Sequence, residues 1–449
     1  MVEASISGEK ILDGLRVSED DAINMHEYFQ GKIETIPKCW ISGLEDFAIW
    51  YTPGVTEACR AIIEERDRVF ELTLKWNTIA VVSDGTRVLG LGNIGPDAAL
   101  PVMEGKALLF KYLGGVDAMP LCINLRDEEE IVKVVKAVEP SFGGINLEDI
   151  EKPKCFSLLE RLKNELSIPV WHDDQQGTAT IVCAGLINAL KVVGKRLGDV
   201  KVAMVGVGAA NVSVERLIVK AGVDERKIVM VDSKGILSRS RSDLEKSEPY
   251  KWALCLRTNF DGKEGGIAEA LDGADVCIAM SRQGPGVIKK EWVKKMNDRA
   301  IVFSCANPIP EIWPSEAKEA GAKVVATARS DFPNQLNNSL VFPGIFRGAL
   351  DVRAKGISDR MCLAAAFEIA RMAEEKGLSE EYIVPTMEEW DVYPREAAAA
   401  AYEACLEGLA RKKTGKEKEY EYAKEIISTA RRKFEQLKIS GLIRRYKKV

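Results

Sequence analysis

The chain has 449 residues, enough for two or three domains, because a single hydrophobic core seldom grows beyond about 250–300 residues. Its composition, 46% hydrophobic and 29% charged with a net charge of −5, is typical of a soluble globular protein, and no run approaches the roughly 18 apolar residues of a membrane-spanning helix. The ten cysteines lack paired spacing and only two histidines occur, which argues against a disulfide framework, a zinc site and a Ser-His-Asp triad.

The two ends of the chain carry further signals. The opening residues MVEASISGEKILDGL lack the basic start and apolar run of a signal peptide, so we expect a cytoplasmic protein with reduced thiols. Residues 412–449 hold 13 Lys or Arg against 5 Asp or Glu, but interleaved acidic and apolar residues favour an amphipathic helix packed on its own protein or on a second subunit. We therefore expect no nucleic-acid or membrane partner, and a homodimer or higher homo-oligomer.

The first 140 residues alternate short predicted helices with short predicted strands. The helices are expected at residues 18–30, 55–67, 104–113 and 128–138. The strands are expected at residues 78–83, 88–91 and 118–123, with a Gly/Pro-rich loop at 92–101.

Acidic residues then follow two apolar strands. Glu148 and Asp149 come after FGGINL, Asp174 comes after IPVW, and residues 152–167 between them carry a helical apolar pattern. A strand-helix-strand unit makes the two strands parallel, so their carboxyl ends and the three acids meet at the edge where α/β sheets bind ligands. Clustered carboxylates repel, so either some stay protonated or a cation such as Mg²⁺ or Mn²⁺ lies among them. The alternative is that these acids cap helix starts and face water.

A second α/β unit begins after residue 177. A long apolar helix is predicted at residues 178–193, and further strands are predicted at 201–205, 227–231, 276–280, 300–304 and 323–327. The whole pattern predicts an α/β protein with two doubly wound domains and a helical C-terminal extension. We place a catalytic and metal-binding domain at residues 1–176, a Rossmann-type NAD(P)-binding domain at 177–343, and a helical region packing back on the first domain at 344–449.

The segment VGVGAAN lies between a predicted strand and a predicted helix. Gly206 and Gly208 let the backbone approach a pyrophosphate, whose charge is met by the helix N-terminus, and Asp232 at the next strand end suits ribose hydroxyls. Asn211 departs from the pattern, because a third small residue usually stands there. Ser233 and Lys234 are compatible with a 2′-phosphate, so NAD and NADP both remain open.

Several single residues can be interpreted either as structural residues or as functional ones. Lys106 begins a helix after a glycine-rich loop and is by default a surface lysine, but near the carboxylates and partly dry its pKa would fall and make it a general base. Tyr51 is ordinarily a core or turn aromatic, and Arg87 would hold a substrate carboxylate in two bonds. Asn307 and the pair Asn337-Asn338 are each more typical of turns when taken alone.

Together these segments resemble the malic enzymes, particularly the short prokaryotic type. The matching stretches reach from about residue 41 to residue 354 and include WYTPGV, DGTRVLGLGNIGP, FGGINLEDIEKPKCF, PVWHDDQQGTA, FSCANPIPEI and RSDFPNQLNNSLVFPG. The resemblance implies oxidative decarboxylation of L-malate to pyruvate and CO₂ with reduction of NAD(P)⁺.

The resemblance also implies site residues by motif position. The metal, Mg²⁺ or Mn²⁺, would be held by Glu148, Asp149 and Asp174. Lys106 would take the hydroxyl proton, Tyr51 would protonate the enolpyruvate, and Asp173 would assist them. Malate would be bound by Arg87, Lys106, Asn307, Asn337 and Asn338. The cofactor would be bound by Thr178, Gly206, Gly208, Ala209, Ala210, Asn211, Asp232, Ser233, Ser281 and Asn307.

The residues alone are also compatible with three other functions. A malolactic-type enzyme would retain its cofactor and release lactate. A non-catalytic dinucleotide sensor would bind cofactor without turnover. A metal-dependent lyase without redox chemistry is disfavoured by the second doubly wound domain.

Overall fold

The first sheet of the computed structural model, which describes residues 19–88 and 90–446, holds parallel strands in the order β2-β1-β3-β4. These strands are β1 (Thr78–Ser83), β2 (Asp117–Cys122), β3 (Gly144–Leu147) and β4 (Val170–His172). Every residue of β1 is buried, and its TIAVVS sequence suits a strand covered on both faces. The predicted neighbours β3 and β4 pair in parallel, with Ile145 opposite Val170, so their carboxyl ends share one edge.

Seven helices accompany this sheet in the described chain. They are α1 (Glu19–Phe29), α2 (Leu44–Trp50), α3 (Val55–Glu64), α4 (Val69–Leu72), α5 (Gly95–Gly114), α6 (Glu128–Val138) and α7 (Lys154–Glu165). The predicted bounds of α6 are confirmed, and Asp127 explains its start because this side chain accepts a hydrogen bond from the Glu130 N–H. The predicted helix at 18–30 corresponds to α1, with Ser18 outside the described residues.

The second sheet has the strand order β10-β9-β8-β5-β6-β7, parallel except for β7. Its strands are β5 (Val202–Val205), β6 (Ile228–Asp232), β7 (Gly235–Ile236), β8 (Val276–Ala279), β9 (Ala300–Ser304) and β10 (Ala322–Thr327). Its helices are α8 (Thr178–Val193), α9 (Ala209–Ala221), α10 (Leu244–Ser247), α11 (Pro249–Arg257), α12 (Ile267–Leu271), α13 (Lys290–Val293) and α14 (Pro314–Glu319). The order reverses between β5 and β8, which opens a crevice at their carboxyl ends.

Four helices follow in the described chain: α15 (Phe342–Asp351), α16 (Asp359–Lys376), α17 (Val392–Leu406) and α18 (Lys416–Ile439). Gly348 lets α15 approach α17 closely, because a Cβ there would lie 2.2 Å from the Ala397 carbonyl oxygen. The basic tail forms α18, which packs on α5 through Phe434 and Tyr112, whose ring centroids are 5.3 Å apart. The predicted fold class is confirmed, whereas the domain boundaries at residues 176 and 343 stay predictions.

Two predicted elements near the first sheet are wrong. The strand expected at 88–91 is a single bridge between Val88 and Gly92, with Leu89 outside the described residues. Helix α5 begins at Gly95, nine residues earlier than expected, because Pro96 occupies the first turn, where its missing N–H costs nothing. The glycine-rich loop before Lys106 is therefore shorter than its composition indicates.

One described helical stretch, Asp173–Val193, is long and apolar enough by composition to cross a membrane. Within its most apolar segment, 83% is buried inside the protein. The helix lies between the first sheet, the second sheet and α16, so packing within the protein accounts for its composition.

The buried carboxyl of Glu419, on the tail helix α18, lies beside a polar cluster in the core. Arg347, fully buried, donates to both carboxylate oxygens of Asp351 at 2.9 and 2.5 Å and also contacts Asn77. Burial and the adjacent Asp351 carboxylate raise the pKa of Glu419 to about 8. Glu419 is therefore protonated where it packs at neutral pH.

Replacing Glu419 with glutamine is expected to raise the melting temperature at pH 8–9 and to leave it unchanged at pH 5. The unfolded chain releases this proton near pH 4.5 and the native state near pH 8, so wild-type stability falls as pH rises between these values. The loss is of the order of a few kcal/mol, at about 1.4 kcal/mol per pKa unit. Thermal unfolding of both proteins across this pH range measures the loss of stability. The control is Glu417→Gln, a change at an exposed residue nearby on the same helix. A difference in melting temperature that does not depend on pH would contradict the prediction.

Candidate functional site

Three carboxylates meet at the carboxyl edge of β3 and β4. Oxygen atoms of Glu148, Asp149 and Asp174 all lie within 4.8 Å of one another. Glu148 and Asp149 are buried and Asp174 is partly exposed, and the Asp149 N–H donates to the Asp174 carboxylate at 3.1 Å. The structure thus brings together the acids that the sequence pattern singled out, and their role as metal ligands stays a prediction.

The electrostatics of this cluster favour a bound cation. Burial raises the pKa of Glu148 well above its usual range, Lys106 opposes this, and Asp174, Asp173 and Asp149 add to it. Such an acid is either protonated or neutralised by a positive ion. Three carboxylate oxygens this close together would hold a divalent cation that prefers oxygen ligands, such as Mg²⁺ or Mn²⁺.

Lys106 lies on α5 beside these acids and is almost fully buried. Its Nζ is 3.0 Å from Glu148 Oε1, forms an ion pair with Asp173, and lies 4.1 Å from the centroid of the Phe342 ring. Burial alone would lower the pKa of Lys106, but the Asp173 and Glu148 carboxylates outweigh it and raise that pKa. The expected fall of the Lys106 pKa is therefore wrong for this arrangement of charges.

Asp173 begins a single π-helical turn, Asp173–Gly177, that leads directly into α8. Such turns often occur at functional sites. Asp173 is fully buried, and the Trp171 indole N–H donates to it at 3.0 Å, opposite the Lys106 contact. Gly177 is needed here because its Cβ would lie 2.0 Å from Asp173 Oδ1 and 3.2 Å from the Asn338 Cβ. Asn338 is therefore beside the cluster.

The two other predicted substrate contacts lie on loops that approach the same edge. The Arg87 N–H donates to the Asp149 carbonyl at 2.9 Å, and its side chain is exposed. In the same loop, the Cβ position of Gly90 lies 3.2 Å from Pro308, next to the exposed Asn307 after β9. The loops of the two sheets that carry Arg87 and Asn307 therefore touch.

Asn337 and Tyr51 are the remaining two residues that the sequence predicts to act on the substrate. Asn337 uses its side-chain oxygen to cap the turn that follows, accepting from the Ser339 N–H at 2.9 Å. Tyr51 follows α2 with 72% of its surface exposed, and no hydrogen bond or ring contact joins it to Lys106 within the described ranges.

The glycine-rich loop has the geometry of a dinucleotide site. Gly206 follows β5 with a φ of +96°, and a Cβ there would lie 2.4 Å from the Met280 carbonyl oxygen. Gly208 is the N-cap residue of α9, which starts with Ala209 and Ala210. The buried Asn211 donates to the carbonyls of Val205 and Gly206 at 3.0 and 2.8 Å. This asparagine thus closes the loop where a small residue was expected.

Asp232 at the end of β6 is already engaged by cations. Its carboxylate accepts from Lys251 at 3.0 Å, from Arg241 at 3.3 Å and from the Lys234 N–H at 2.9 Å. Burial acts to raise the pKa of Asp232, but these donors outweigh it and lower that pKa. The predicted ribose acid is therefore ionised and paired with Lys251 and Arg241, which also pair with Glu248 and Asp243.

One buried acid near the crevice escaped the sequence reasoning. Glu311 is fully buried and accepts hydrogen bonds from the Ser281 N–H at 2.7 Å and from the Ala306 N–H at 3.0 Å. It joins the loops after β8 and β9, and so fixes Ser281 and the start of the segment that carries Asn307. The sequence signal that could have identified Glu311 is its position in CANPIPE, a few residues after the end of a strand.

Known families and proteins match most of the chain. Residues 30–163 match the family description "Malic enzyme, N-terminal domain" and residues 175–406 match "Malic enzyme, NAD binding domain". The NAD-dependent malic enzyme of Geobacillus stearothermophilus is 51% identical over 85% of this chain and 78% of its own length.

Two further comparisons agree with this match. The bifunctional malic/malolactic enzyme of Bacillus subtilis is 48% identical over 87% of this chain and 94% of its own length. The crystal structure of the malic enzyme of Entamoeba histolytica superposes with a TM-score of 0.93 at 44% identity, covering 99% of this chain and 92% of that one.

Proposed function

The chain belongs to the malic enzyme family, and from this premise we propose that it converts L-malate to pyruvate and CO₂ while reducing NAD(P)⁺. The observation that carries the proposal is the cluster of Glu148, Asp149 and Asp174 with Lys106 and Asp173 at one sheet edge, beside a glycine-rich loop. The reaction needs binding groups for the two carboxylates and the hydroxyl of malate, and for the cofactor that accepts the hydride. This sheet edge offers such groups.

Proton removal from the malate hydroxyl is the role proposed for Lys106. A hydride leaves C2 only if the hydroxyl proton leaves too, which requires a positioned base. Lys106 must be neutral to accept that proton, so the charge of the carboxylates that raise its pKa has to be countered. Asp173, held by the Trp171 indole, keeps the amine in position.

The groups that bind beside these residues supply the remaining chemistry. When bound, a divalent cation held by Glu148, Asp149 and Asp174 supplies positive charge that polarises substrate oxygens, and the nicotinamide accepts the hydride. The exposed Arg87 fork suits one substrate carboxylate, and Asn338 and Asn307 line the same edge. Tyr51 is proposed as the acid that protonates C3 after CO₂ is lost.

The cations around Asp232 favour NADP over NAD. A free acid at this strand end binds ribose hydroxyls and repels a 2′-phosphate. Here Lys251 and Arg241 counter the charge of Asp232, although they also pair with Glu248 and Asp243, and Ser233 and Lys234 follow Asp232. The repulsion is thereby reduced, and donors for a phosphate lie nearby.

Replacing Lys251 with alanine is expected to raise the KM for NADP by about 10–100-fold and to leave the KM for NAD nearly unchanged. The size follows from one charged contact of about 1.5–3 kcal/mol. Steady-state kinetics with both cofactors measure the change, and the exposed Lys246→Ala serves as the matched control. Equal losses for the two cofactors would contradict the assignment.

The proposed activity is tested by following nicotinamide absorbance with purified protein, L-malate and each cofactor, with and without a chelator. We expect free NAD(P)H and pyruvate to form in equal amounts, and the rate to disappear with chelator and return with Mg²⁺ or Mn²⁺. No turnover under any metal, with cofactor binding intact, would instead support a dinucleotide sensor.

The second candidate is the malolactic reaction, which is favoured by the similarity to the bifunctional malic/malolactic enzyme of Bacillus subtilis. The same pocket would then keep the reduced cofactor bound and pass its hydride to pyruvate. Lactate without free NAD(P)H identifies that reaction, and pyruvate with free NAD(P)H identifies the first one.

The setting proposed for this enzyme is a cytoplasmic homodimer without nucleic-acid or membrane partners. All ten cysteines are free thiols, which suits a reducing compartment. The small-molecule substrate needs no macromolecular partner.

A further inference from the structure

Helix α17 carries a fully buried carboxyl group, that of Glu396, which has no role in the site described above. Neither of its carboxyl oxygens has a hydrogen-bond partner among the described residues. The Tyr393 hydroxyl, about one turn earlier on the same helix, is also buried without a partner in that part of the chain. Buried polar groups are nearly always hydrogen-bonded to protein or to ordered water, so we expect a shared partner for these two neighbouring groups.

Glu396 packs against the first turn of α15, which forms one wall of the Lys106 pocket. A Cβ at Gly344 would lie 2.2 Å from Glu396 Oε2, so this glycine makes room for the carboxyl. The same turn begins with Phe342, whose ring centroid is 4.1 Å from the Lys106 Nζ. Glu396 and Lys106 therefore both contact the first turn of α15.

Asp173 links Glu396 to the site. Burial, and then the charge of Asp173, raise the pKa of Glu396 well above its usual range. A fully buried carboxyl without a paired cation keeps its proton at neutral pH, so Glu396 has an O–H to donate. Asp173 already accepts from the Trp171 indole and from Lys106, and a carboxylate has about four acceptor positions. Asp173 can therefore accept a further hydrogen bond.

We propose that Glu396 is a positioning residue for Asp173, to which its O–H donates through a buried water shared with the Tyr393 hydroxyl. Asp173 is thereby held against Lys106. A buried water needs two to four polar partners, and these three side chains supply them. A hydrogen bond to an ionised acceptor is strong and directional, so it fixes the carboxylate that holds the amine. This inference rests on the proposed malate reaction, because it concerns the residue that takes the hydroxyl proton.

The first test compares two replacements of Glu396 with similar shape. Glu396→Gln keeps a neutral side chain with an N–H donor, whereas Glu396→Met keeps the unbranched shape and removes the donor. We expect Glu396→Gln to retain a kcat close to wild type and Glu396→Met to lose about 10–100-fold, the usual effect of one hydrogen bond to a charged group. The KM for malate and the affinity for NADP should stay nearly unchanged in both.

A double-mutant cycle tests the shared water. Tyr393→Phe removes only the hydroxyl and should lower kcat less than Glu396→Met does. Because both side chains act through one network, the variant that combines the two changes should be no slower than Glu396→Met alone. Losses that multiply would overturn the shared network.

Infrared spectroscopy measures the protonation of Glu396 without any turnover. The difference spectrum between wild type and Glu396→Gln at neutral pH should show the carbonyl band of a protonated carboxylic acid. A carboxylate band in its place would overturn the proposal, because an ionised Glu396 has no O–H to donate.

The matched control is Glu419→Met, which removes another buried carboxyl that carries a proton. Glu419 belongs to the cluster of Arg347, Asp351 and Asn77, and Asn77 lies just before β1, at the edge of the sheet opposite the site. This variant should keep its kcat at a temperature where it is folded. Equal kcat losses for the two Glu396 variants, a wild-type kcat for Glu396→Met, or an equal loss in the control would overturn the proposal. Wild-type turnover measured alongside separates such a result from failure of the proposed function.

Discussion

Replacing Asp174 with alanine is expected to lower kcat by at least about 10³-fold and to abolish tight Mn²⁺ binding, with NAD(P) binding close to wild type. The change removes one of three carboxylates whose oxygens lie within 4.8 Å. Polarisation of a substrate oxygen by a cation supplies several kcal/mol, and each 1.4 kcal/mol is tenfold in rate. Between described residues, the Asp174 carboxylate contacts the Asp149 N–H and the His172 ring, and no hydrogen bond joins it to the dinucleotide loop at Gly206 and Gly208.

Two binding measurements separate this effect from general damage. Calorimetric titration with Mn²⁺ reports the metal site without any turnover, and fluorescence titration with NADPH reports the second domain. Asp298→Ala, on a side chain that is 92% exposed, is the matched control and should behave as wild type. Tight Mn²⁺ binding by the Asp174→Ala protein would remove this carboxylate from the metal site.

The meeting of the three acids was foreseeable from sequence because it depends on topology alone. Parallel neighbouring strands bring their carboxyl ends to one edge, so residues after β3 and β4 are close whatever their side chains do. The glycine loop after β5 was equally readable, since a strand, a tight turn and a helix are local features. Local bounds such as those of α6 and α8 were readable for the same reason.

The sequence did not predict contacts between segments that are far apart in the chain. Nor did it predict which of two opposing influences on a pKa prevails. Phe342 lies against Lys106 across more than 230 residues, and Lys251 on helix α11 reaches Asp232 at the end of strand β6. No period or motif predicts such pairs. The Lys106 pKa was misjudged because burial and the nearby carboxylates act in opposite directions, and only their actual distances decide which prevails.

Lys106→Ala is expected to lower kcat by about 10²–10⁴-fold, the usual effect of losing a proton-transfer group, with little change in NADP affinity. The reason is geometric: Lys106 is the amine held between Asp173 and Glu148 over the Phe342 ring. Adding small primary amines to the variant should restore part of the rate, because they refill the cavity with a base. Lys111→Ala, an exposed lysine on the same helix, is the control and should retain full activity. A wild-type rate for Lys106→Ala would remove this amine from the chemistry, and a loss that no amine restores would reduce its role to balancing the buried carboxylates.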